Sequence, residues 1–303
     1  MEMTILVRDD GITHVVLAGR LDTTAVEQID KSFTDAAASR NQPAIVDLSR
    51  IEFMASRGIG MLLANSKRLK KSGHKLVLLN PQGMVASVLK TSKTEILMPV
   101  VHDLEQAIQV LRGAQGKAGA ATPRLETPTD GSRPPRAESA ATASTAAANV
   151  LKVAIRNEIS ELESLNAKLA EFLAAHSVPY RAAYAVNLAV EELIVNVIRY
   201  AYVDDETHSI DVELAIEGEQ IVLRIVDDGM PFDPRRGPAL NVHSEDREVG
   251  GLGLILVLDM VDVLKYQREG EKNRVEVRIR LIADDERGES PGTTDTVVQA
   301  TGG

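Results

Sequence analysis

The sequence has 303 residues, of which 44% are hydrophobic and 26% charged, a composition typical of a soluble protein with two globular domains. It contains no cysteine, which excludes disulfides, cysteine nucleophiles and zinc–thiolate sites. The formal net charge is -10, and residues 150–282 hold 24 acidic against 15 basic residues, which argues against a nucleic-acid-binding surface there. With no apolar run of the roughly 20 residues that a membrane span needs and no signal-peptide pattern, we expect a cytoplasmic protein with no membrane or direct nucleic-acid partner.

A segment rich in small residues divides the chain. Between residues 113 and 149, 27 of 37 residues are Ala, Gly, Pro, Ser or Thr, and Leu125 is the only large apolar residue. Such a segment cannot bury enough apolar surface to offset the entropy cost of ordering it. We therefore predict a first domain at 1–112, a disordered linker at 113–149, a second domain at 150–282 and a disordered tail at 283–303.

The first domain alternates predicted strands and helices. Apolar runs at 4–8 and 13–17 flank an Asp-Asp-Gly turn signal and predict a hairpin, after which Thr23 or Thr24 can cap a helix. The remaining predicted elements are a buried strand at 44–48, a helix following Ser56, a strand at 75–79 and two helical segments around 99–101. This order predicts an α/β sandwich with one mixed sheet.

The second domain shows two helical patterns followed by strand patterns. The predicted elements are a strand at 150–155, helices at 159–173 and 181–202, strands at 210–216 and 221–226, and a hairpin at 263–280. A loop of about twenty residues at 229–249 precedes a glycine-rich helix start. We expect an α+β layer, with helices on one face of a mostly antiparallel sheet.

Two clusters in this second domain carry polar residues suited to nucleotide chemistry. Glu192 and Asn196 are four residues apart and therefore project from one helix face, where a general base can lie beside a metal ligand. Asp227 ends a strand and Gly229 follows it, so a carboxylate could accept a hydrogen bond from an adenine amine while glycine allows close approach. Taken singly, each pair is also compatible with a solvated helix or an ordinary Asp-Gly turn.

A third cluster is formed by Gly250, Gly251 and Gly253 at a predicted helix start. Glycines at this position let backbone amides surround a phosphate, and the helix dipole favours its negative charge. Taken alone, this pattern is equally compatible with a flexible hinge before a core helix.

The order and spacing of the three clusters resemble the Bergerat-type ATPase fold of GHKL kinases, in particular its compact branch of anti-sigma-factor serine kinases. The resemblance implies ATP and Mg²⁺ as cofactors, with Glu192 as catalytic base, Asn196 as magnesium ligand and residues 229–249 as a lid. It further implies nucleotide contacts from Asp227, Gly229, Gly250, Gly251, Gly253 and Asn273. The sequence departs from the family at Arg274, where a small hydroxyl residue is usual, and at Tyr200, where histidine is frequent.

The stretch 45–60, together with Gly-Arg-Leu-Asp at 19–22, resembles the signature of STAS domains, the anti-sigma-factor antagonists. This resemblance implies that Ser56 is a phosphoacceptor, placed where free amides at a helix start stabilise a phosphate. The usual preceding Asp is Ala55 and the usual following Ser or Thr is Arg57. The alternative is that Ser56 only caps the helix.

Together these resemblances lead to the hypothesis of a partner-switching regulator, an ATP-dependent protein-serine kinase and anti-sigma factor fused to a STAS phosphoswitch. The implied partners are a sigma factor or another protein target, a STAS antagonist in cis or in trans, a serine phosphatase and a second copy of the chain. The alternative is a non-catalytic adaptor that binds nucleotide and sequesters a protein partner.

Overall fold

The structure is a computed structural model that describes residues 1–7, 11–113, 149–236 and 251–282. Residues 114–148 of the predicted linker, the predicted tail, Gly250 and the larger part of the predicted lid therefore lie outside the described residues. Within the described ranges, none of the helices is both long and apolar enough to cross a bilayer.

The first domain is built on a five-stranded mixed sheet. Its elements are β1 Glu2–Val7, β2 Thr13–Leu21, α1 Thr23–Ala37, β3 Ala44–Met54, α2 Ser56–Lys71, β4 Leu76–Leu79, α3 Gly83–Thr91, β5 Val100–Val101 and α4 Leu104–Arg112. The strand order is β1-β2-β3-β4-β5, in which the β1–β2 pair is antiparallel and the other pairs are parallel. The predicted α/β sandwich with a mixed sheet is confirmed.

Alternating side chains divide the core of this domain between the two faces of the sheet. Val46 and Leu78 belong to a cluster that includes apolar residues of α1, α2 and α3. Ile45 and Val77, each one residue earlier in its strand, belong to a second cluster with residues of α4. The period of two along a strand thus explains why apolar residues run without interruption through β3 and β4.

Two predicted boundaries in this domain are wrong. Helix α1 is capped by Asp22, whose carboxylate accepts a hydrogen bond from the backbone amide of Ala25 at 3.0 Å, and Thr23 is already helical. Strand β3 continues beyond the predicted 44–48, because Ile51 and Phe53 remain buried on alternate positions after the polar residues interrupt the apolar run.

The second domain has a five-stranded sheet in the order β6-β7-β8-β10-β9, with antiparallel neighbours throughout the described strands. Its elements are β6 Val150–Arg156, α5 Glu161–Ala175, α6 Tyr180–Tyr200, β7 Ser209–Glu217, β8 Gln220–Asp227, α7 Leu252–Met260, β9 Val263–Glu269 and β10 Lys272–Arg280. The predicted α+β architecture is confirmed.

Helices and charged side chains occupy opposite faces of this second sheet. Apolar residues of α5, α6 and α7 join those of the strands in one cluster. On the other face, the Arg224 guanidinium donates hydrogen bonds to Glu213 at 2.8 Å and Glu276 at 3.0 Å on the two neighbouring strands. The same cluster of buried apolar residues continues into the first domain, so the two domains share a packed interface.

Candidate functional site

Ser56, the predicted phosphoacceptor, and Glu192, the predicted base, are in contact across the domain interface. The Ser56 hydroxyl donates a hydrogen bond to Glu192 Oε2 at 2.7 Å. The Ser56 backbone amide donates a second one to Glu192 Oε1, also at 2.7 Å. The carboxylate therefore binds both donors of a single residue that lies 136 positions away in the chain.

The start of α2 explains why both donors of Ser56 are available. The N-cap residue is Ala55, which has an extended backbone and no side chain that can accept a hydrogen bond. Ser56 is the first helical residue, so its amide is one of the N-terminal donors that have no partner within the helix. The alternative prediction that Ser56 is an N-cap is therefore wrong, and Glu192 provides the acceptor that Ala55 lacks.

Glu192 is buried, with 6% of its surface exposed. Burial raises the pKa of its carboxyl to about 7, whereas the hydrogen bonds from Ser56 oppose this increase. The charge of Glu191 raises the same pKa and that of Arg57 lowers it. A carboxyl group with such a pKa exchanges protons readily near neutral pH.

Gly253, in the first turn of α7, lies against this pair. A Cβ atom at this position would overlap the Glu192 carboxylate and would lie 3.1 Å from the Ser56 hydroxyl. Glycine is thus required for the close approach of α7, which places the N-terminal end of a helix beside the proposed base and acceptor.

Further polar contacts hold the two domains together around this centre. The Tyr184 hydroxyl accepts a hydrogen bond from the backbone amide of Met54 at 3.1 Å and donates one to the carbonyl of the same residue at 3.2 Å. The backbone amide of Thr23 donates to Glu191 Oε1 at 2.7 Å. At the periphery, the interface includes hydrogen bonds from Tyr180 to Glu52, from Thr91 to Asp259 and from Arg199 to Glu27.

A second polar cluster surrounds Asp227 at the end of β8. Its Oδ1 accepts hydrogen bonds from the backbone amide of Gly229 at 2.9 Å and from the Asn273 side chain at 2.7 Å. Burial raises the pKa of the Asp227 carboxyl, and the Asn273 hydrogen bond opposes that increase. Asn273 also donates to the carbonyls of Gly229 at 3.2 Å and Met230 at 3.0 Å, which fixes the loop that follows the strand.

Helix α6 connects the two clusters. Gly229 packs against Ala201, where an added Cβ would lie 2.7 Å from the Ala201 carbonyl oxygen. Ala201 is the C-cap of the helix that also carries Glu192. Nine residues separate these positions, which corresponds to about 13 Å along a helix axis.

Of the three remaining predicted contact residues, the structure describes Gly251 and Asn196. Gly251 is the N-cap of α7 and has a left-handed backbone with φ of 96°, a conformation that glycine adopts without strain. Asn196 is partly buried and lies one turn after Glu192 on α6. Gly250 lies outside the described residues.

Tyr184 and Glu191 have no predicted role in this site, and Thr23 is predicted only as a possible helix cap. Tyr184 was a polar position in an Ala-, Val- and Leu-rich helix, and such a buried hydroxyl usually requires a hydrogen-bond partner. Glu191 was adjacent to the predicted base, but nothing in its spacing indicated an acceptor for Thr23. Arg57, which counted as a departure from the family pattern, lies close enough to lower the pKa of Glu192.

Comparison with known proteins assigns both domains. Residues 4–107 match the STAS domain family, and residues 155–279 match the histidine kinase-like ATPase domain family. Over 98 residues the chain is 33% identical to the serine-protein kinase RsbW of Listeria monocytogenes, a match that covers 30% of this chain and 62% of RsbW. The chain thus spans somewhat less than two thirds of the length of these kinases.

The STAS region has relatives of its own. Over 100 residues, the chain is 34% identical to the anti-sigma F factor antagonist of Lysinibacillus sphaericus, with 32% of this chain and 83% of that protein covered. Among solved structures, the anti-sigma factor antagonist SpoIIAA in its unphosphorylated form is 25% identical over 37% of this chain and 99% of its own, with a TM-score of 0.31. Through its first domain the chain belongs to the STAS family of anti-sigma factor antagonists, and this domain is fused to a histidine kinase-like ATPase domain.

Proposed function

We propose that the protein is an ATP-dependent protein-serine kinase that phosphorylates Ser56 of its own STAS domain and thereby switches protein partners. The observation that carries this proposal is the 2.7 Å hydrogen bond from the Ser56 hydroxyl to Glu192 Oε2. A serine held against a buried carboxylate has the arrangement that general-base activation of a hydroxyl requires.

The second polar cluster fits an adenine ring. Among the described residues, both hydrogen bonds donated to Asp227 end on Oδ1, which leaves Oδ2 for the exocyclic amine of a nucleotide. Gly229 would let the ring approach the backbone, and Asn273 would hold the carboxylate in place rather than contact the nucleotide itself. The distance of about 13 Å from Ala201 to Glu192 along α6 suits a nucleotide that extends its phosphates toward the base.

The phosphate end of the nucleotide would lie between α6 and α7. Gly251 and Gly253 at the start of α7 allow backbone amides to approach a phosphate, and Gly250 precedes them. The Asn196 amide oxygen would hold a magnesium ion one turn from the base. ATP bound here supplies the γ-phosphoryl group, and magnesium offsets its negative charge.

In the transfer step, the Ser56 Oγ would bond to the γ-phosphorus of ATP while the bond from that phosphorus to the bridging oxygen breaks and ADP leaves. The serine proton would pass to Glu192 Oε2. The pKa of about 7 matches this role, because the carboxylate is available at neutral pH and still has a substantial proton affinity. The hydrogen bond from the Ser56 amide to Glu192 orients the serine. Glycine at position 253 leaves room for this pair, because a side chain there would overlap the Glu192 carboxylate.

Phosphorylation would then break the interface that presented the serine. A phosphoserine carries nearly two negative charges. At position 56 it would lie against the buried Glu192, and the buried Glu191 is the neighbour of Glu192 in the chain. Repulsion between these groups would release the STAS domain and expose the α6–α7 surface. A sigma factor or another protein target would bind the freed surface, and a serine phosphatase would restore the docked state.

The test is to incubate the purified full chain with ATP and magnesium and to map the phosphate by mass spectrometry. We expect one phosphate on Ser56, no label in Ser56→Ala, and normal labelling in Ser87→Ala, a control at an exposed serine of α3. Because transfer is intramolecular, the rate should not change on tenfold dilution. Nucleotide binding without a label on any protein would overturn the kinase proposal and favour the adaptor, whereas a label only on a separate STAS protein would favour action in trans.

A further inference from the structure

Glu191, the residue before the proposed base, lies in an unusual position for a carboxylate. Only 1% of its surface is exposed. Its Oε1 accepts a hydrogen bond from the Thr23 backbone amide at 2.7 Å, across 168 positions of the chain. Its Oε2 is buried and has no hydrogen-bond partner among the described residues.

Burying this carboxylate is unfavourable unless the STAS domain is in place. Burial raises the pKa of the Glu191 carboxyl, and the hydrogen bonding from Thr23 opposes that increase. A charged group in an apolar interior must find a partner or become neutral. The donor that offsets the burial is the Thr23 amide of the other domain, so this contact stabilises one specific docked arrangement.

The two consecutive carboxylates of α6 bind different helices of the STAS domain. Successive residues on an α-helix are rotated by about 100°, so neighbouring side chains leave the helix in different directions. Glu191 binds the amide of Thr23, the first residue of α1, and Glu192 binds that of Ser56, the first residue of α2. Both amides are helix-terminal donors with no partner within their own helix.

From this geometry we infer that Glu191 is a specificity residue, which makes the site accept a folded STAS domain and reject a serine in an extended peptide. This inference rests on the proposed kinase function. A peptide could bring a hydroxyl to Glu192, but a peptide that also covered Glu191 would not supply it with the α1 amide. A site whose buried polar group loses its partner discriminates strongly against the incomplete ligand. Glu191 thus positions the substrate and does not touch the reacting atoms.

The test uses the full chain with three changes: Glu191→Ala, Glu191→Gln, and Glu163→Ala as a control at an exposed acid of α5. Amide hydrogen exchange at Ser56, measured without nucleotide, reports docking directly. In Glu191→Ala we expect this amide to exchange at least tenfold faster and Ser56 to be labelled at least tenfold more slowly, with unchanged ATP affinity. Glu191→Gln keeps a hydrogen-bond acceptor, so its exchange and labelling rates should be closer to those of wild type. Glu163→Ala should have wild-type rates.

A change on the other side of the contact gives an independent measurement. Thr23→Pro removes the amide hydrogen that Glu191 accepts, and proline is well tolerated at the first position of a helix. It should reproduce the Glu191→Ala result, whereas Thr23→Ala, which keeps the amide and loses only the hydroxyl near Glu191, should have a smaller effect. Because this pair does not alter Glu191, it stays informative if Glu191→Ala fails to fold.

The outcomes separate this inference from the proposed function. Wild-type exchange at the Ser56 amide together with wild-type labelling in Glu191→Ala or Thr23→Pro would overturn the role of Glu191. If wild type carries no label, the kinase proposal fails, yet faster Ser56 exchange in these two variants would still establish Glu191 as the docking residue.

Discussion

The N-termini of α1 and α2 meet the ATPase domain in the same way but offer it different chemistry. Each presents a free backbone amide to a buried carboxylate of α6 at 2.7 Å. Helix α1 already has its own cap, Asp22, whereas α2 begins after Ala55 and has none. The first residue of α2 also donates a hydrogen bond from its hydroxyl to the carboxylate at 2.7 Å. The Thr23 hydroxyl makes no bond of this length within the described residues, although it lies near enough to Glu191 to help lower the pKa of that carboxyl.

This difference shows how two similar electrostatic contacts can serve separate purposes. At α1, Asp22 caps the helix, and Glu191 contributes the docking contact to which we attribute specificity. At α2, the missing cap leaves Glu192 as the sole side-chain acceptor at the terminus among the described residues, so the proposed base and the acceptor depend on each other. Changing one contact at a time should therefore separate chemistry from docking.

The largest effect is expected from Glu192→Gln. Glutamine keeps the shape and can still accept a hydrogen bond from the Ser56 amide, but it cannot act as the base. Single-turnover labelling of Ser56 should fall by about 100-fold or more, with ATP still bound. Glu191→Gln is the matched isosteric control, and its labelling rate should fall far less. Equal labelling rates for Glu192→Gln and wild type would exclude Glu192 as the base.

Asp227→Ala should weaken nucleotide binding without altering either helix contact. The lost charged acceptor corresponds to about 1.5–3 kcal/mol, or roughly 10- to 100-fold in affinity by calorimetry. Asp228→Ala is a suitable control, because this adjacent acid is exposed and pairs with His208 at 3.2 Å. Wild-type affinity in Asp227→Ala would exclude this carboxylate from the nucleotide site, and faster exchange at the Ser56 amide would show that the two clusters are coupled.

The pH dependence of Ser56 labelling should follow Glu192, whose pKa is raised to about 7. Only the deprotonated carboxylate can take the serine proton, so the rate should rise about tenfold per pH unit below that value and level off above it. Glu192→Gln should lack this rise. A wild-type profile that is flat between about pH 5.5 and 8.5, measured by single-turnover labelling, would contradict the assignment.

The smallest effect is expected at the edge of the interface. Arg199 donates a hydrogen bond to Glu27 at 3.0 Å, and both side chains are partly exposed, at 30% and 45%. Solvent screening limits such pairs to about 0.2–1 kcal/mol, so Arg199→Ala should slow labelling by less than about fivefold. A double-mutant cycle with Glu27→Ala measures the coupling; a loss comparable to that of Glu191→Ala would mean that docking depends on the edge as much as on the buried acids.

The fold was largely predictable from sequence because both domains follow regular apolar periods. Alternation in β7 and the helical stripe of α5 require burial on one face, and such patterns are compatible with few architectures. Errors arose at boundaries decided by single side chains. Asp22 took the cap that was assigned to Thr23 or Thr24, because its backbone is extended while theirs is helical.

The sequence indicates the candidate site residues one by one, but it does not indicate that Ser56 and Glu192 are in contact. Family motifs indicated Ser56, Glu192 and Asp227 separately, each with a proposed role. Contact between positions 136 residues apart depends on how two folded domains pack, and no local spacing encodes that. The same holds for Glu191, whose partner is a backbone amide that any residue at position 23 other than proline would provide.

The docked face also sets how the chain would respond to competitors. Because both domains belong to one chain, docking is intramolecular, and such a partner can experience an effective concentration roughly in the millimolar range. A free partner at micromolar concentration would then need about a thousandfold higher intrinsic affinity to occupy the α6–α7 surface half of the time. In the unphosphorylated chain, the α6–α7 surface would therefore stay covered despite small changes in partner concentration. It would become available once Ser56 is modified.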